Sequence, residues 1–208
     1  YITLKTKGTF LVPFVISIIN ISVMAISLLD PIVKDQGGSI KSGAWYRKAV
    51  QSIANTSSAR ALMRSGKLNS RPSQGRLNMF FYDPKFKKTL PYYDTFPLVL
   101  PLDPIKGGFI GMNFHYLPPA MRFTLLRRLD AYLSGDATKR GTRIEVNYNT
   151  VKSIPMVKPT LHKYLYGHIR SSFLRIDAPE ASTAVYLPVQ QFKKQPATTV
   201  WSRSRRGI

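Results

Sequence analysis

The sequence predicts an α+β fold: a small antiparallel β core, with closure into a barrel as one option, two to three packed helices and basic flexible ends. An apolar content of 44% in 208 residues is enough to bury one core. Short runs rich in Phe, Tyr and Val, separated by Asp-Pro, Leu-Pro and Gly-Gly pairs, are typical of strands joined by turns. Other segments repeat apolar residues at helical spacing, which indicates helices beside the strands.

Residues 24–76 are predicted to form a basic N-terminal arm that contains a helix. No acidic residue lies between Gln36 and Tyr82, although lysines and arginines are spread through that stretch. Apolar residues from Trp45 to Met63 recur at loosely helical spacing, and Gly66 supplies a stop signal. The polar segment KLNSRPSQGR that follows is typical of a linker.

Residues 77–194 are predicted to be the core domain, and its first part consists of strands. LNMFFYD, FPLVLPLD and GGFIGMNFHYL each have strand length, with Gly107 and Gly108 in a tight turn before the third. Asp83 and Asp103, each followed by proline, are predicted to lie in turns. Pro97 and Pro101 lack an amide hydrogen, so they require edge positions or strand ends.

The second part of the core domain is predicted to contain two helices. One begins at Pro118-Pro119 and places Met121, Leu125, Leu129 and Leu133 on one face. The other spans PTLHKYLYGHIRSSFLRI, where Leu161, Leu165, Ile169 and Phe173 are four apart. Between them, RIEVNYNTV alternates as a half-buried strand would, with a helix as the alternative, and ASTAVYLPVQQF is assigned to the sheet. Residues 195–208 form a basic C-terminal tail without an acid.

The first residues allow two interpretations. Residues 9–29 carry no charge and are long enough to span a membrane, although Pro13 and several polar residues weaken that pattern. Alternatively, Met24 opens a stretch typical of a natural protein start, so that residues 1–23 are a non-native extension. We favour the second interpretation, and therefore regard a membrane as a disfavoured partner.

The charge of the chain points to a polyanionic partner. Lys and Arg number 31 against 10 acids, a net charge of +21, which creates a strong field toward nucleic acid first and an anionic membrane second. The absence of cysteine excludes disulfides and thiolate chemistry. The three histidines have no zinc-site spacing, and no phosphate-binding or hydrolase motif occurs, so we predict no catalytic residue, metal or cofactor.

The candidate DNA contacts are therefore cations, which bind phosphates, and aromatic residues, which stack on bases. Trp45, Tyr46, Tyr92, Tyr93 and Trp201 could stack on bases, with core placement favoured more for Tyr92 and Tyr93 than for Trp201. His115 could act as a general base, but in an aromatic strand a buried structural histidine is the favoured interpretation. The cations predicted to contact phosphates are Arg47, Lys48, Arg60, Arg64, Lys85, Lys87, Lys88, Arg122, Arg127, Arg128, Lys163, Arg170, Lys193, Lys194, Arg203, Arg205 and Arg206.

Long motifs in the core domain resemble a known family. FFYDPKFKKTLPYYDTFPLVLPLD, followed by GGFIGMNFHYLPPAMRFTLL, is similar to the central block of the DNA end protector proteins, also called head-completion proteins, of T-even-type tailed phages. LHKYLYGHIRSSFLRI and VYLPVQQFKK resemble the C-terminal part of that family, so that the similarity covers Leu77 to Lys194.

The resemblance implies a non-enzymatic virion protein that binds the termini of packaged linear double-stranded DNA. It would shield them from host exonuclease, in the capsid interior or neck before injection and in the host cytoplasm during assembly and after injection. Two alternatives stay open: a head–neck or portal-associated protein that contacts DNA only incidentally, and a membrane-anchored basic protein. Portal or neck proteins are candidate partners in the first case.

Overall fold

The computed structural model describes residues 27–133 and 147–208, which form helices around one main antiparallel sheet. The seven α-helices of this part are α1 (Asp30–Gln36), α2 (Gly43–Ile53), α3 (Ala59–Ser65), α4 (Pro119–Leu133), α5 (Tyr148–Val151), α6 (Ala178–Ala184) and α7 (Ala197–Arg206). Its eight strands are β1 (Lys67–Asn69), β2 (Leu77–Met79), β3 (Tyr93–Asp94), β4 (Leu98–Ile105), β5 (Gly108–Asn113), β6 (Leu161–Leu165), β7 (Phe173–Ile176) and β8 (Phe192–Lys193). Short 3₁₀ helices span Phe114–Tyr116, Pro155–Thr160 and Tyr166–His168. The α+β prediction is confirmed.

The main sheet is open. Its strand order is β1-β7-β2-β4-β5-β6, all neighbours are antiparallel, and β1 and β6 are its edges. β3 and β8 pair separately. Closure into a barrel is therefore wrong, because β1 and β6 do not pair within the described part of the chain.

The two faces of the sheet bury different residues. Leu98 and Leu100 of β4 point into the main core, which also contains Leu125 and Leu129 of α4. Val99 lies between them in the chain and joins a second cluster on the opposite face. That cluster is mostly aromatic and comprises Phe80, Tyr82, Val99, Phe109, Tyr164 and Phe173. The alternation follows from the two-residue period of a strand.

The predicted N-terminal helix is two helices. Ser42 caps α2 and Ser58 caps α3, where the Ser58 hydroxyl accepts a hydrogen bond from the Ala61 amide at 3.1 Å. Gly66 follows the last residue of α3, as predicted. Tyr46 of α2 is fully buried, so this helix belongs to the core.

Two predictions for the segments beside the sheet are corrected. The start of the predicted linker, Lys67–Asn69, is the edge strand β1, paired with β7. The predicted helix over residues 159–176 is instead strands β6 and β7 with a 3₁₀ turn between them. A spacing of four residues fits the strand period of two as well as the helical period of 3.6, so Leu161 and Leu165 could not discriminate between the two structures.

The proline-containing turns are only partly as predicted. Gly107 turns the chain between β4 and β5 with φ 75°, and Asp83 precedes the turn at residues 85–89. Asp103, however, lies inside β4 next to a register shift, where its carboxylate accepts a hydrogen bond from the Tyr148 amide at 2.7 Å. Pro101 is tolerated within this strand because β2 pairs only with Leu98 and Val99, so β4 is locally an edge.

Two further segments are helical where the sequence predicts otherwise. The segment 181–192, assigned to the sheet, begins inside α6 (Ala178–Ala184), which has a capping box between Asp177 and Glu180. Residues 197–206, predicted as part of a flexible tail, form α7, which is anchored by the buried Val200. Only the pair Phe192–Lys193 in this region adds a strand.

The predicted membrane segment over residues 9–29, the start at Met24 and the alternation at Ile144 and Val146 lie wholly or largely outside the described residues. Tyr148 opens the short helix α5. Within residues 27–133 and 147–208, no helix is both long and apolar enough to cross a bilayer.

A buried carboxylate on β3, that of Asp94, connects the small sheet to the main sheet through Asn113 of β5. Asp94 is 4% exposed. Its oxygens accept hydrogen bonds from the amides of Phe96 and Gln191, both at 3.0 Å, from Asn113 Nδ2 at 3.4 Å and from His115 Nδ1 at 2.7 Å. Burial by itself raises the pKa of Asp94, but His115 and the two amides outweigh it and hold that pKa below its ordinary value. Asp94 therefore joins β3, β5 and the segment before β8 as an anion.

Arg122 of α4 is a buried cation beside this carboxylate, and its predicted role as a surface phosphate contact is wrong. The side chain is inaccessible to solvent. Its guanidinium donates to the carbonyl oxygens of Leu117 at 2.7 Å, Val185 at 3.2 Å and His115 at 3.4 Å. Burial lowers its pKa to about 9, against the attraction of Asp94, so it stays charged near neutral pH.

Replacing Arg122 should destabilise the fold. We expect Arg122→Met to lower the free energy of unfolding by about 3–5 kcal/mol, because it removes the guanidinium donor from the Leu117 and Val185 carbonyl groups and the buried positive charge that attracts Asp94. Arg128→Met is the matched control, since Arg128 is exposed on the same helix, and should change that free energy by less than about 0.5 kcal/mol. Urea denaturation measures both; equal small losses would show that the buried guanidinium is not a structural centre.

Candidate nucleic-acid interface

A groove of about 750 Å³ opens beside β6 and α7. His162 and Tyr164 of β6 contribute to its surface, and Tyr164 also belongs to the aromatic cluster. The groove therefore lies on the side of the sheet that carries this cluster, away from the main core. Its other boundaries are the turn after Asp83, the strand β3 and the last turn of α7.

Aromatic rings line much of the groove: those of six Phe and Tyr residues and the imidazole of His162. The rings of Tyr92 and Tyr116 are 5.9 Å apart, and that of His162 is 4.1 Å from Tyr116. Phe86 lies at the mouth with 63% of its surface exposed. Burial raises the pKa of the Tyr116 and Tyr164 phenols, so these groups stay neutral at physiological pH.

His162 is also neutral in this environment. Burial lowers its pKa to about 4, although a hydrogen bond to the Pro159 carbonyl opposes that shift. The residue as a whole is partly exposed, but its Nε2 atom is inaccessible and hydrogen-bonds no atom of the described residues. The imidazole therefore acts as an apolar ring beside Tyr116.

Among the described residues that line the groove, Asp94 is the one acidic residue. Its neighbour His115 is fully buried, and burial lowers the pKa of His115 despite the attraction of Asp94. The pair is thus a carboxylate and a neutral imidazole whose Nδ1–H donates to Asp94. This confirms the interpretation of His115 as a buried structural residue.

Cations surround the aromatic surface. Lys85, Lys158, Lys163 and Arg203 all line the groove and are exposed. The ammonium of Lys85 lies 5.5 Å from the centre of the Phe86 ring, and the guanidinium of Arg203 lies 5.5 Å from that of Tyr92. The groove therefore combines a neutral apolar surface with a positively charged margin.

The turn that carries Lys85 is held at both ends. Lys87 forms an ion pair with Asp83 at 2.8 Å. Lys194 donates from Nζ to the carbonyl oxygens of Lys88 at 2.8 Å and Leu90 at 2.7 Å. Hydrogen bonding to Lys87 lowers the pKa of Asp83, which also lies 3.8 Å from Arg170. These contacts position the turn and partly neutralise Lys87 and Arg170.

The exposed cations that the sequence predicts as phosphate contacts fall into two groups, those in or beside the groove and those elsewhere. Lys85, Lys163 and Arg203 line the groove, and Lys87, Lys88, Arg170 and Lys194 lie in or contact the adjoining turn. The remaining exposed cations do not line it: Arg47 and Lys48 on α2, Arg60 and Arg64 on α3, Arg127 and Arg128 on α4, Lys193 on β8, and Arg205 and Arg206 on α7.

The favoured order among the aromatic candidates is reversed. Tyr92 and Tyr93, for which a core position is favoured more than for Trp201, line the groove. Trp201 is instead partly buried and donates from Nε1 to the His115 carbonyl at 2.9 Å. Tyr46 is fully buried and therefore cannot stack on a base.

Sequence reasoning missed most of the groove residues, among them Phe86, Tyr116, Lys158 and His162. Phe86 had one available signal, an aromatic residue between two lysines. Lys158, Tyr116 and His162 had none, because they reach the groove only through the pairing of β5 with β6 and the 3₁₀ turn before β6. Within the described residues, no group of three or more acids and histidines could hold a metal ion.

The fold and the groove describe a basic α+β protein with a cationic, aromatic surface. Comparison with protein families shows that it is a phage protein. The family model described as "Phage T4 terminal DNA protecting protein" matches residues 27–204, and the chain belongs to that family. The match confirms the resemblance and extends it beyond residues 77–194, into α1–α3 and most of α7. Neither the curated proteins nor the solved structures yielded a match.

His162 should make stability depend on pH. Its folded-state pKa lies below the ordinary value of 6.5, so the unfolded chain takes up a proton at this site first, and stability is lost as the pH falls from about 6.5 to about 4. Between about pH 7.5 and pH 5 we expect a loss of about 2 kcal/mol from this residue.

The measurement is urea denaturation of the wild type and of His162→Gln at both pH values. The variant lacks the titrating imidazole and should lose that much less stability on acidification, because all other titratable groups are the same in both proteins. Identical losses would mean that His162 is accessible to protons in the folded state.

Proposed function

We propose that the protein binds the two termini of linear double-stranded DNA in the virion and blocks exonucleases without a chemical step of its own. The observation that carries the proposal is the cationic, aromatic groove in a chain of the terminal DNA protecting family. The net charge of +21 supports a long-range attraction to DNA.

Charge attracts DNA to the whole protein, but the groove offers a fixed arrangement of charges. Lys163 lies on a strand, Arg203 on a helix, and Lys85 on a turn that Lys194 and Asp83 hold. Cations in fixed positions lose little conformational freedom on binding. Such an arrangement favours one orientation of a phosphate backbone over others, as a cap on an end requires.

Shielding needs only physical coverage of the terminus. An exonuclease must reach the terminal phosphodiester bonds, and a protein that binds there with a slow off-rate excludes it. We therefore assign the cations roles in binding and no residue a catalytic role. Under this proposal, the protein is bound to packaged DNA in the capsid and to the injected end in the host cytoplasm.

The direct test compares ends with closed circles. The full chain is titrated onto linear duplex and relaxed circular DNA of the same sequence at near-physiological salt, and the linear DNA is then challenged with a processive exonuclease. We expect the protein to bind linear DNA more tightly than circular DNA, and the bound linear DNA to remain at full length during the exonuclease challenge. Equal affinities without protection would instead support a head–neck structural protein that contacts DNA incidentally.

The groove should carry this activity. Replacing Lys85, Lys163 and Arg203 with alanine should abolish protection and reduce the slope of log affinity against log salt by about three, because each phosphate contact contributes about one unit. The matched control replaces Lys48, Arg60 and Arg128, which are exposed and do not line the groove. This control variant removes three positive charges, as the groove variant does.

The control should retain protection and end preference. Thermal unfolding verifies that both triple variants fold. Equal impairment of the two would indicate that net charge alone, rather than the groove, determines binding.

A further inference from the structure

We infer that the groove receives one unpaired nucleotide at the DNA terminus, with its base against the aromatic surface and its phosphates on the surrounding cations. This inference rests on the proposed function and adds which part of the terminus is recognised. It also supplies a physical reason why an end would be preferred over an internal site.

The dimensions of the groove suit a nucleotide rather than a duplex. A volume of about 750 Å³ falls within the range of roughly 300–1,000 Å³ for pockets that enclose small ligands. Bases inside a duplex are stacked and paired, so bringing one into a pocket costs free energy that an already unpaired base does not require. A concave aromatic site is therefore accessible to a terminal base and closed to most internal ones.

The groove presents aromatic faces at its mouth and along its side. Phe86 is 63% exposed although large apolar side chains are normally buried. Tyr92 packs against Tyr116 on one side and beneath Arg203. Stacking on such rings tolerates any base, because every base has a π face. Burial raises the pKa of the Tyr116 and Tyr164 phenols, so these two groups stay neutral and do not repel the nucleotide.

The charge distribution matches the two parts of a nucleotide. Lys85, Lys163 and Arg203 lie around the neutral surface, as the phosphates flanking a docked base require. Asp94, the acidic residue among the described residues of the groove lining, is 4% exposed. Its carboxylate accepts four hydrogen bonds. Its charge is offset by the buried Arg122, so it opposes an anionic ligand little.

The experiment uses DNA hairpins, which have one open end. The full chain is titrated with a blunt hairpin and with hairpins that carry one extra nucleotide on the 3′ or the 5′ strand. Each overhang is prepared with a base and without one, as an abasic site. In at least one polarity we expect the base to tighten binding about 5- to 100-fold over the abasic overhang, as stacking energies predict.

Two exposed aromatic residues give matched variants. Phe86→Ala should abolish the base-dependent gain, while Tyr166→Ala should retain it, because Tyr166 is 48% exposed but does not line the groove. Both side chains are exposed, so both variants should fold. With 2-aminopurine as the overhanging base, fluorescence quenching should occur in the wild type and Tyr166→Ala and disappear in Phe86→Ala.

Equal affinity for abasic and base-containing overhangs of both polarities would overturn the inference. If hairpin ends are still preferred over circles and protected from exonuclease, the inference alone fails and the proposed function stands. If ends are not preferred at all, the proposed function fails with it.

Discussion

The fold depends on keeping one carboxylate, Asp94, ionised in the interior. A buried charge is costly unless it is hydrogen-bonded and balanced by an opposite charge. Here four donors surround it, and the guanidinium of Arg122 supplies the positive charge nearby. Those groups come from the segment after β3, from β5 and the 3₁₀ helix that follows it, from α4 and from the segment before β8. None of these elements can shift without leaving a buried charge unsatisfied.

The same network determines the shape of the groove. Tyr92 and Tyr93 immediately precede Asp94, and Tyr116 immediately follows His115, so the hydrogen bond between Asp94 and His115 sets the distance between the two groups of rings. Trp201 donates to the His115 carbonyl and thereby docks α7, which brings Arg203 over Tyr92. The buried Asp94–His115 network and the proposed binding groove thus share one set of contacts. A substitution that disrupts the network should therefore distort the groove.

Positive charge in this protein has at least three physical roles. Arg122 is buried and holds the fold together. Lys87 and Lys194 position a turn through contacts with Asp83 and with backbone carbonyl groups. The exposed cations on α2, α3 and α4 contribute to the long-range positive field of a chain with net charge +21, which falls with distance and salt. Lys85, Lys158, Lys163 and Arg203 instead lie around the aromatic groove, which is why the proposed site is small compared with the net charge.

The sequence by itself determined the fold class, the strands that begin near Leu77, Leu98 and Gly108, the helix after Pro118, and the family. These followed from local signals: proline and glycine punctuation, two-residue alternation and long motifs. The tertiary structure decided the rest. Leu161 and Leu165 fit a helix and a strand equally well until β6 paired with β5, and a sequence cannot show whether an arginine such as Arg122 points inward. Lys85, Lys158, Lys163 and Arg203 are up to 118 residues apart in the chain, and only the folding of separate elements around one buried carboxylate brings them to the same groove.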